Sequence, residues 1–366
     1  MSAPPQPPVR TQPTASPGRS RAAWFAALAA GTDELYEPRR EDCPWCGSHR
    51  LRTRLRTGDL RHRTPGRFTV DACRDCGHTF QNPRLTAQGL ALHHGVPGPG
   101  LPAARRHHRS AAHAVRLRCP EPESWLDVGT GHADFPATAR EVFPYTSFDG
   151  LDPTPRVERA RAAERVEEAF VGRLTDPHIR TLLRARYDVV SLLHQLEHAP
   201  DPRAELRAAL HVLRPGGHLL VETTDPGSLF AALLGRWWPP YDQPRRPHLP
   251  TPANLCAELR AQGCTVLAVD RAGHLPHDLA GALGTALSHA LPAPDTPWRA
   301  TPPTPLQRRL RQALLRAAVP PVAAAGAADH ALAPLARHSR LANTCRILAR
   351  KDTASPPGLP RQTPTP

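Results

Sequence analysis

The stretch Ser124-Trp125-Leu126-Asp127-Val128-Gly129-Thr130-Gly131-His132-Ala133-Asp134 runs from an apolar segment into a glycine turn and then into a helical pattern. Two glycines let a backbone pass close beneath a ligand held at a helix N-terminus. A dinucleotide G-x-G-x-x-G would need glycine where Asp134 stands. The register that fits is acidic-x-Gly-x-Gly-x-small, with Asp127 at the strand end and Ala133 in the third small position. A plain strand-to-helix turn is the alternative for a lone glycine loop. Downstream, Asp152 closes Gly150-Leu151-Asp152-Pro153, 23 residues after Gly129. An acid at the end of that second strand can accept both hydroxyls of a ribose.

A second chemistry lies upstream. Cys43-Pro44-Trp45-Cys46-Gly47 and Cys73-Arg74-Asp75-Cys76-Gly77 are matched knuckles separated by 26 residues, room for a hairpin and a return strand. Each pair puts two sulfurs on one tight turn, and the following glycine lets backbone N–H groups face the thiolates. The spacing predicts a zinc ribbon over residues 39–90, with Cys43, Cys46, Cys73 and Cys76 on one structural Zn2+. A redox role for the C-x-x-C pairs is the alternative. Four thiolates leave no open coordination position, so the metal is expected to hold a small fold together. The other cysteines, Cys119, Cys256, Cys264 and Cys345, are scattered.

Elements must position these residues. From residue 121 short apolar runs alternate with helical stretches, the pattern of βαβ units. Strands are expected at Ser124–Val128, Tyr145–Leu151, Ala169–Val171, Tyr187–Leu193, His218–Thr223, Thr265–Asp270 and Thr344–Ala349. Helices are expected near Ala133–Val142, Arg156–Glu164, Arg203–Leu213 and Pro252–Gln262. Asp201 is a good N-cap, with Pro202 at the first helical position. The fold class that follows is α/β: a Rossmann-like, seven-stranded, doubly wound sheet over residues 121–352, with the small ribbon before it. A helical insertion is expected at about 275–340. There Leu306, Leu310, Leu314 and Leu315 share a helical face flanked by arginines, which suits either a membrane-surface or partner helix, or a packed helix with a solvated basic face. Residues 91–120 read as a linker with a helix from Ala103 to Leu117, and a short helix is expected over Arg21–Tyr36. Residues 1–20 and 353–366 read as disordered, Pro-rich tails.

Composition bounds the function. The 366 residues include 45 prolines, and the formal net charge is +14. Lys351 is the sole lysine among 47 basic residues, and arginine is spread along the chain. Compositional drift explains that better than a nucleic-acid surface, and 18 aromatic residues are few for base stacking. No apolar run approaches the roughly 20 residues of a membrane span. The N-terminus has no apolar signal core, which predicts a cytoplasmic protein.

The ordered series of Asp127-Val128-Gly129-Thr130-Gly131, Gly150-Leu151-Asp152-Pro153, Tyr187-Asp188-Val189-Val190, Leu196-Glu197-His198-Ala199-Pro200-Asp201-Pro202 and Leu213-Arg214-Pro215-Gly216-Gly217 resembles class I S-adenosylmethionine-dependent methyltransferases. Within them it is similar to the branch of ubiquinone-pathway O-methyltransferases, closely over residues 121–272 and loosely to Lys351. The resemblance implies that Gly129 and Gly131 approach the methionyl part of S-adenosyl-L-methionine, that Asp127 lies near its amino group, and that Asp152 binds its ribose. It places His194 and Gln195 where the sulfonium faces the acceptor. Val171-Gly172-Arg173-Leu174 lacks the usual acid for adenine, so no residue is assigned there. The implied function is methyl transfer to a small-molecule acceptor in secondary or cell-envelope metabolism. An RNA methyltransferase gripping RNA with the ribbon, and a non-catalytic cofactor-binding protein, are the alternatives. The acceptor pocket is expected over the end of the fourth strand of the sheet, with His198, beside Glu197, as general base. The alternatives are that both anchor the turn before Asp201, or that they ligate a divalent metal with His194. Trp237–Tyr241 is expected as a lid, or as a plug on the sheet edge. Asp149 is expected to tolerate alanine. Neither the acceptor nor the oligomeric state is legible.

Overall fold

The computed structural model describes residues 29, 31, 33–94, 105–271, 275–296, 298, 299, 301–337 and 339–353. The expected tails at 1–20 and 354–366 lie outside these residues, as does most of the short helix expected before Tyr36, of which a single turn at Asp33–Leu35 is described.

Eleven strands form two sheets among the described residues. The ribbon contains β1 (Leu51–Thr57), β2 (Phe68–Cys73) and β3 (Thr79–Gln81). The large sheet contains β4 (Ser124–Val128), β5 (Ser147–Asp152), β6 (Ala169–Val171), β7 (Tyr187–Leu193) and β8 (Leu213–Thr224). A two-stranded-length excursion, β9 (His248–Leu249), precedes β10 (Cys264–Asp270) and β11 (Thr344–Lys351). The large sheet has the order β10-β11-β8-β7-β4-β5-β6. β4 to β8 are parallel, and β11 runs antiparallel to both β8 and β10. The chain moves outward from β4 in one direction through β5 and β6, then returns to β7 on the other side. That reversal opens a crevice at the carboxyl ends of β4 and β7, where doubly wound sheets bind ligands. The central strands are buried on both faces and read as continuous apolar runs, as in β7, where Val189, Val190 and Leu192 have no exposure.

Two expectations about segments change. The second strand begins at Ser147, because Tyr145 points into solvent at 96% exposure. The helix expected within the linker is present over Arg105–Arg116, but it is no linker: its Ala111, Ala112 and Val115 are buried with Trp125, Phe135 and Phe148. Its arginine- and histidine-rich sequence hides an apolar stripe only three residues wide.

The ribbon is sewn into the large domain. β3 pairs with β2 on one side and with β9 on the other, through Phe80 opposite His248. Arg245 reaches from the large domain to Asp59 with two hydrogen bonds of 3.0 and 2.8 Å. Arg203 donates to the Trp45 carbonyl at 3.1 Å, and Arg54 to that of Pro226 at 2.7 Å. The insertion holds helices over Asp278–Ala290 and Pro305–Ala336. Asp329 on the second caps the first, accepting from the N–H groups of Leu279 and Ala280. The leucine face at the start of the second helix is not packed: Leu306 is 75% exposed.

Candidate functional site

β4 delivers Val128 to the crevice and the chain turns at once. Gly129 has φ +75°, the left-handed region that favours glycine, and its bare Cα lets the Gln195 amide at the end of β7 lie close over the loop. Gly131 has φ +55°, and nothing lies within 4 Å of the position of its absent Cβ. The space above that turn is open. Ala133 adopts a left-handed conformation, φ 56°, and is fully buried. It stands in the third small position, where a larger side chain would meet the core.

Asp152 closes β5 beside this loop. Its Oδ2 accepts from Gly131 N–H at 3.0 Å, and its Oδ1 from Thr154 N–H at 2.8 Å and from the Thr154 hydroxyl. These bonds aim the carboxylate, fill Oδ1 and leave a lone pair on Oδ2. Asp127 lies beneath the loop, accepting from Ser191 Oγ at 2.6 Å. Burial pushes its carboxyl up to about 6, only partly opposed by that hydroxyl. The Thr130 hydroxyl is buried beside it and also opposes the rise. An open cradle and an aimed carboxylate together fit a ligand with a polyhydroxyl ring.

Asp149, three residues before Asp152, is not the tolerant position expected. It is buried and accepts from Tyr187 Oη at 2.8 Å, Glu168 N–H at 3.1 Å and Arg186 at 3.2 Å. Its place on an inner strand of a doubly covered sheet could have indicated this, since β5 is buried from Phe148 to Asp152.

At the end of β7, His194 has φ 54°. Its Nδ1 lies 3.0 Å from Glu197 Oε1, which also accepts from Thr224 N–H at 2.9 Å. A carboxylate can only accept, so Nδ1 carries a proton and donates it to Glu197. That Nε2 is buried and has no hydrogen-bond partner. Glu197 is fully buried. Burial alone would raise its carboxyl, but the hydrogen bond and charge of His194 and the charges of Arg246 and His198 hold it well below the usual range. His198 faces elsewhere: its Nδ1 donates to the Arg245 carbonyl at 2.8 Å. Burial, followed by the Arg246 charge, keeps its imidazole neutral by lowering its pKa. It does not line the cavity described next.

Sequence reasoning missed the neighbours of His194. His107 Nε2 lies 2.6 Å from Glu222 Oε2, and the buried Arg346 holds the other oxygen of Glu222. Ligand atoms of His107, His194 and Glu222 come within 4.8 Å of one another. The expected metal alternative of His194, Glu197 and His198 is not the set the fold gathers.

Beyond His194 opens a cavity of about 430 Å³. Its walls come from distant parts of the chain: Thr57 to Arg61 of the ribbon, the 236–246 segment, the first insertion helix, and Thr224 and Thr344 on the sheet. Trp238 and Tyr241 are 1% and 2% exposed and meet edge to face at 5.0 Å. The Trp238 indole donates to Asp278 Oδ1 at 2.6 Å. This part of the expected lid is a built-in wall, closer to the plug reading.

The four cysteines of the ribbon also converge. Cys43 and Cys76 sulfurs are 3.7 Å apart, and Cys46 and Cys73 sulfurs 3.6 Å. Thiolates on one tetrahedral ion at about 2.3 Å stand about 3.8 Å apart. Gly47 and Gly77, both at φ +74°, return their N–H groups to the carbonyls of Cys43 and Cys73. The two knuckles are thus near copies, and the donor set fits a closed four-thiolate site.

Residues 103–269 match the family model of a methyltransferase domain. Over that span the chain is similar to a methyltransferase domain. The matched span opens inside the segment expected as a linker and covers β4 to nearly the end of β10. Among curated relatives, the ubiquinone biosynthesis O-methyltransferase of Serratia proteamaculans is 38% identical over 101 residues, 27% of this chain and 41% of that protein. That of Aeromonas salmonicida is 31% identical over 149 residues, 38% of this chain and 62% of that one. The chain therefore spans about two fifths to three fifths of the length of these relatives. A solved methyltransferase from Archaeoglobus fulgidus is 14% identical, with 68% of this chain and 95% of that one covered at a TM-score of 0.43. Outside the matched span lie the ribbon and the insertion helices, which supply much of the cavity wall.

Proposed function

We propose that this protein transfers a methyl group from S-adenosyl-L-methionine to an oxygen of a small-molecule acceptor bound in the 430 Å³ cavity. The observation that carries the reading is His194. It leaves β7 next to the Gly129 turn, lines the cavity, and presents a buried Nε2 without a partner. S-adenosyl-L-methionine supplies an electrophilic methyl on a sulfonium. Asp152 binds the ribose, Gly129 and Gly131 admit the methionyl part, and Asp127 supports the loop from below. Glu197 fixes the tautomer and direction of His194, and Nε2 takes the acceptor's hydroxyl proton as the oxygen attacks. In this reading His198 is a positioning residue that ties the turn to Arg245. The ribbon holds a structural Zn2+ on Cys43, Cys46, Cys73 and Cys76.

The ribbon's part in the cavity supports a small-molecule acceptor over RNA, because one of its sheet edges is taken by β9 and its Thr57–Arg61 loop faces inward. Secondary or cell-envelope metabolism is the setting proposed; the curated relatives are named for ubiquinone biosynthesis. No helix among the described residues is long and apolar enough to cross a membrane. Incubation with methyl-labelled S-adenosyl-L-methionine and a cell extract is the test. Label should enter small organic products; label found only in RNA or protein would overturn the proposal.

A further inference from the structure

Two polar residues in the cavity wall are left incomplete by the protein. Gln243 is 3% exposed. Its Nε2 donates to the carbonyls of Tyr241 and Arg246 at 3.0 and 2.8 Å, which fixes the amide's orientation and leaves Oε1 buried without a donor. Arg246 is half-buried. Its Nη1 donates to neutral oxygens only, Thr224 Oγ1 at 2.8 Å and the Pro240 carbonyl at 3.2 Å, and its Nε is buried without an acceptor. Glu197 and Asp242 feel its charge, but neither makes an ion pair with it: Glu197 accepts from His194 and Thr224 on Oε1 and leaves Oε2 without a donor, while Asp242 is paired with Arg245 at 2.8 Å and Arg61 at 3.4 Å. The wall around Arg246 is otherwise largely apolar: Trp237, Trp238, Pro239, Leu275, Ala280 and Val322.

A guanidinium that gives up part of its hydration without an anionic partner is costly, and buried charges in proteins are normally paired. Rim carboxylates could have supplied the partner and do not. We infer that the acceptor itself carries the missing anion: a hydroxylated carboxylic acid with an apolar body, whose carboxylate pairs with Arg246. On the same molecule a hydroxyl or N–H donates to Gln243 Oε1, and the hydroxyl to be methylated faces His194 Nε2. Arginine suits this better than lysine would, since its planar fork keeps Nη1 on Thr224 while Nη2 is left for the ligand. The inference rests on the methyl-transfer reading and adds the chemical class of the acceptor.

The test reads the charge of the product. Full-length protein is incubated with methyl-labelled S-adenosyl-L-methionine and a small-molecule extract of its native host, and labelled products are separated by anion exchange at pH 7. The label should be retained on the anion exchanger and should lose retention after esterification of carboxyl groups. A labelled product that passes through uncharged would overturn the inference while leaving the methyl-transfer reading intact. Absence of any labelled small molecule would instead overturn that reading. Arg246→Met should raise the KM for the extract's acceptor by about 10- to 100-fold, the usual worth of a hydrogen bond to a charged group. Its affinity for S-adenosylhomocysteine, measured by calorimetry, should stay at the wild-type value. An Arg246→Met protein that binds S-adenosylhomocysteine normally and keeps the wild-type KM would also overturn the inference.

Discussion

The two halves of the site are built in different ways. The half proposed for the cofactor lies within residues 127–154, where loop, strand end and carboxylate are neighbours in sequence and satisfy one another locally. The acceptor half draws on residues from Thr57 to Thr344. Its parts are held by long-range links such as Asp59–Arg245, 186 residues apart, and β3–β9 pairing. A locally closed unit should fail locally when it is damaged. A composite wall should fail at a distance, because any link that sets one segment's position sets the cavity.

The largest effect expected of that difference comes from the cysteines. Cys73→Ser/Cys76→Ser should abolish binding of about one zinc per chain in metal analysis, removing folding energy on the order of 10 kcal/mol from the ribbon. Because β3 carries β9, the loss should also disturb residues 236–249, seen as faster hydrogen exchange there. Protection of β4 and β5 should persist. Full zinc retention in the variant would sink the metal assignment, and undisturbed exchange at 236–249 would break the comparison.

Next in size is the Asp59–Arg245 link, whose carboxylate side chain is fully buried and whose guanidinium is 10% exposed. Asp59→Ala leaves a buried cation short of its partner and should cost about 3–5 kcal/mol in denaturant unfolding. It should raise the acceptor KM while S-adenosylhomocysteine affinity holds. The link also sets a pH dependence. For Asp59, burial acts to raise the pKa, but the hydrogen bonds and charge of Arg245 outweigh it and the result is a lowering from 3.8. Arg245 and its neighbours likewise outweigh burial at Asp242 and bring it down to about 2. Carboxyls lowered by folding contribute stability that is complete above their unfolded pKa and lost as the pH falls toward the folded value. Stability should therefore drop between about pH 4 and pH 2, and Asp59→Asn should flatten that drop. An unchanged acid limb in Asp59→Asn would remove this link from the account.

His194 stands at the boundary of the two halves. His194→Ala should reduce turnover by roughly 10²–10⁴-fold with little change in S-adenosylhomocysteine affinity. His198→Gln should lower thermal stability and leave the pH profile of turnover in place. The opposite pattern, a lost basic limb in His198→Gln alone, would return the base to His198.

The smallest effects are expected in the cofactor half. Asp152→Ala should weaken S-adenosylhomocysteine binding by about 1.5–3 kcal/mol in calorimetry. Asp149→Ala should cost stability, about 1–3 kcal/mol for unmade buried hydrogen bonds, without touching cofactor affinity. Equal losses of affinity in both variants would show that Asp152 acts through the strand rather than on the ligand.

Much of the fold was legible because its signals are local. Alternating apolar and helical runs mark β4 to β8, Asp201 with Pro202 marks a helix start, and the knuckles carry their glycines with them. A carboxylate 23 residues after a glycine loop and four sulfurs on two turns follow from short-range chain geometry, so their types and spacing suffice to nominate them. The strand at β9 was not legible: two residues, His248 and Leu249, have no period of their own and become a strand only because β3 offers an open edge. The core role of the 105–116 helix was hidden beneath its arginines. The choice of His194 over His198 depended on which imidazole met a carboxylate and which met a backbone carbonyl, a matter of side-chain direction at one turn. Residue type and spacing by themselves determined the glycine loop and the convergence of the four cysteines, where the partners are close in sequence. Only the tertiary structure decided the acceptor wall, because contacts between residues 59 and 245 or 238 and 278 are fixed by how packed elements lie against one another.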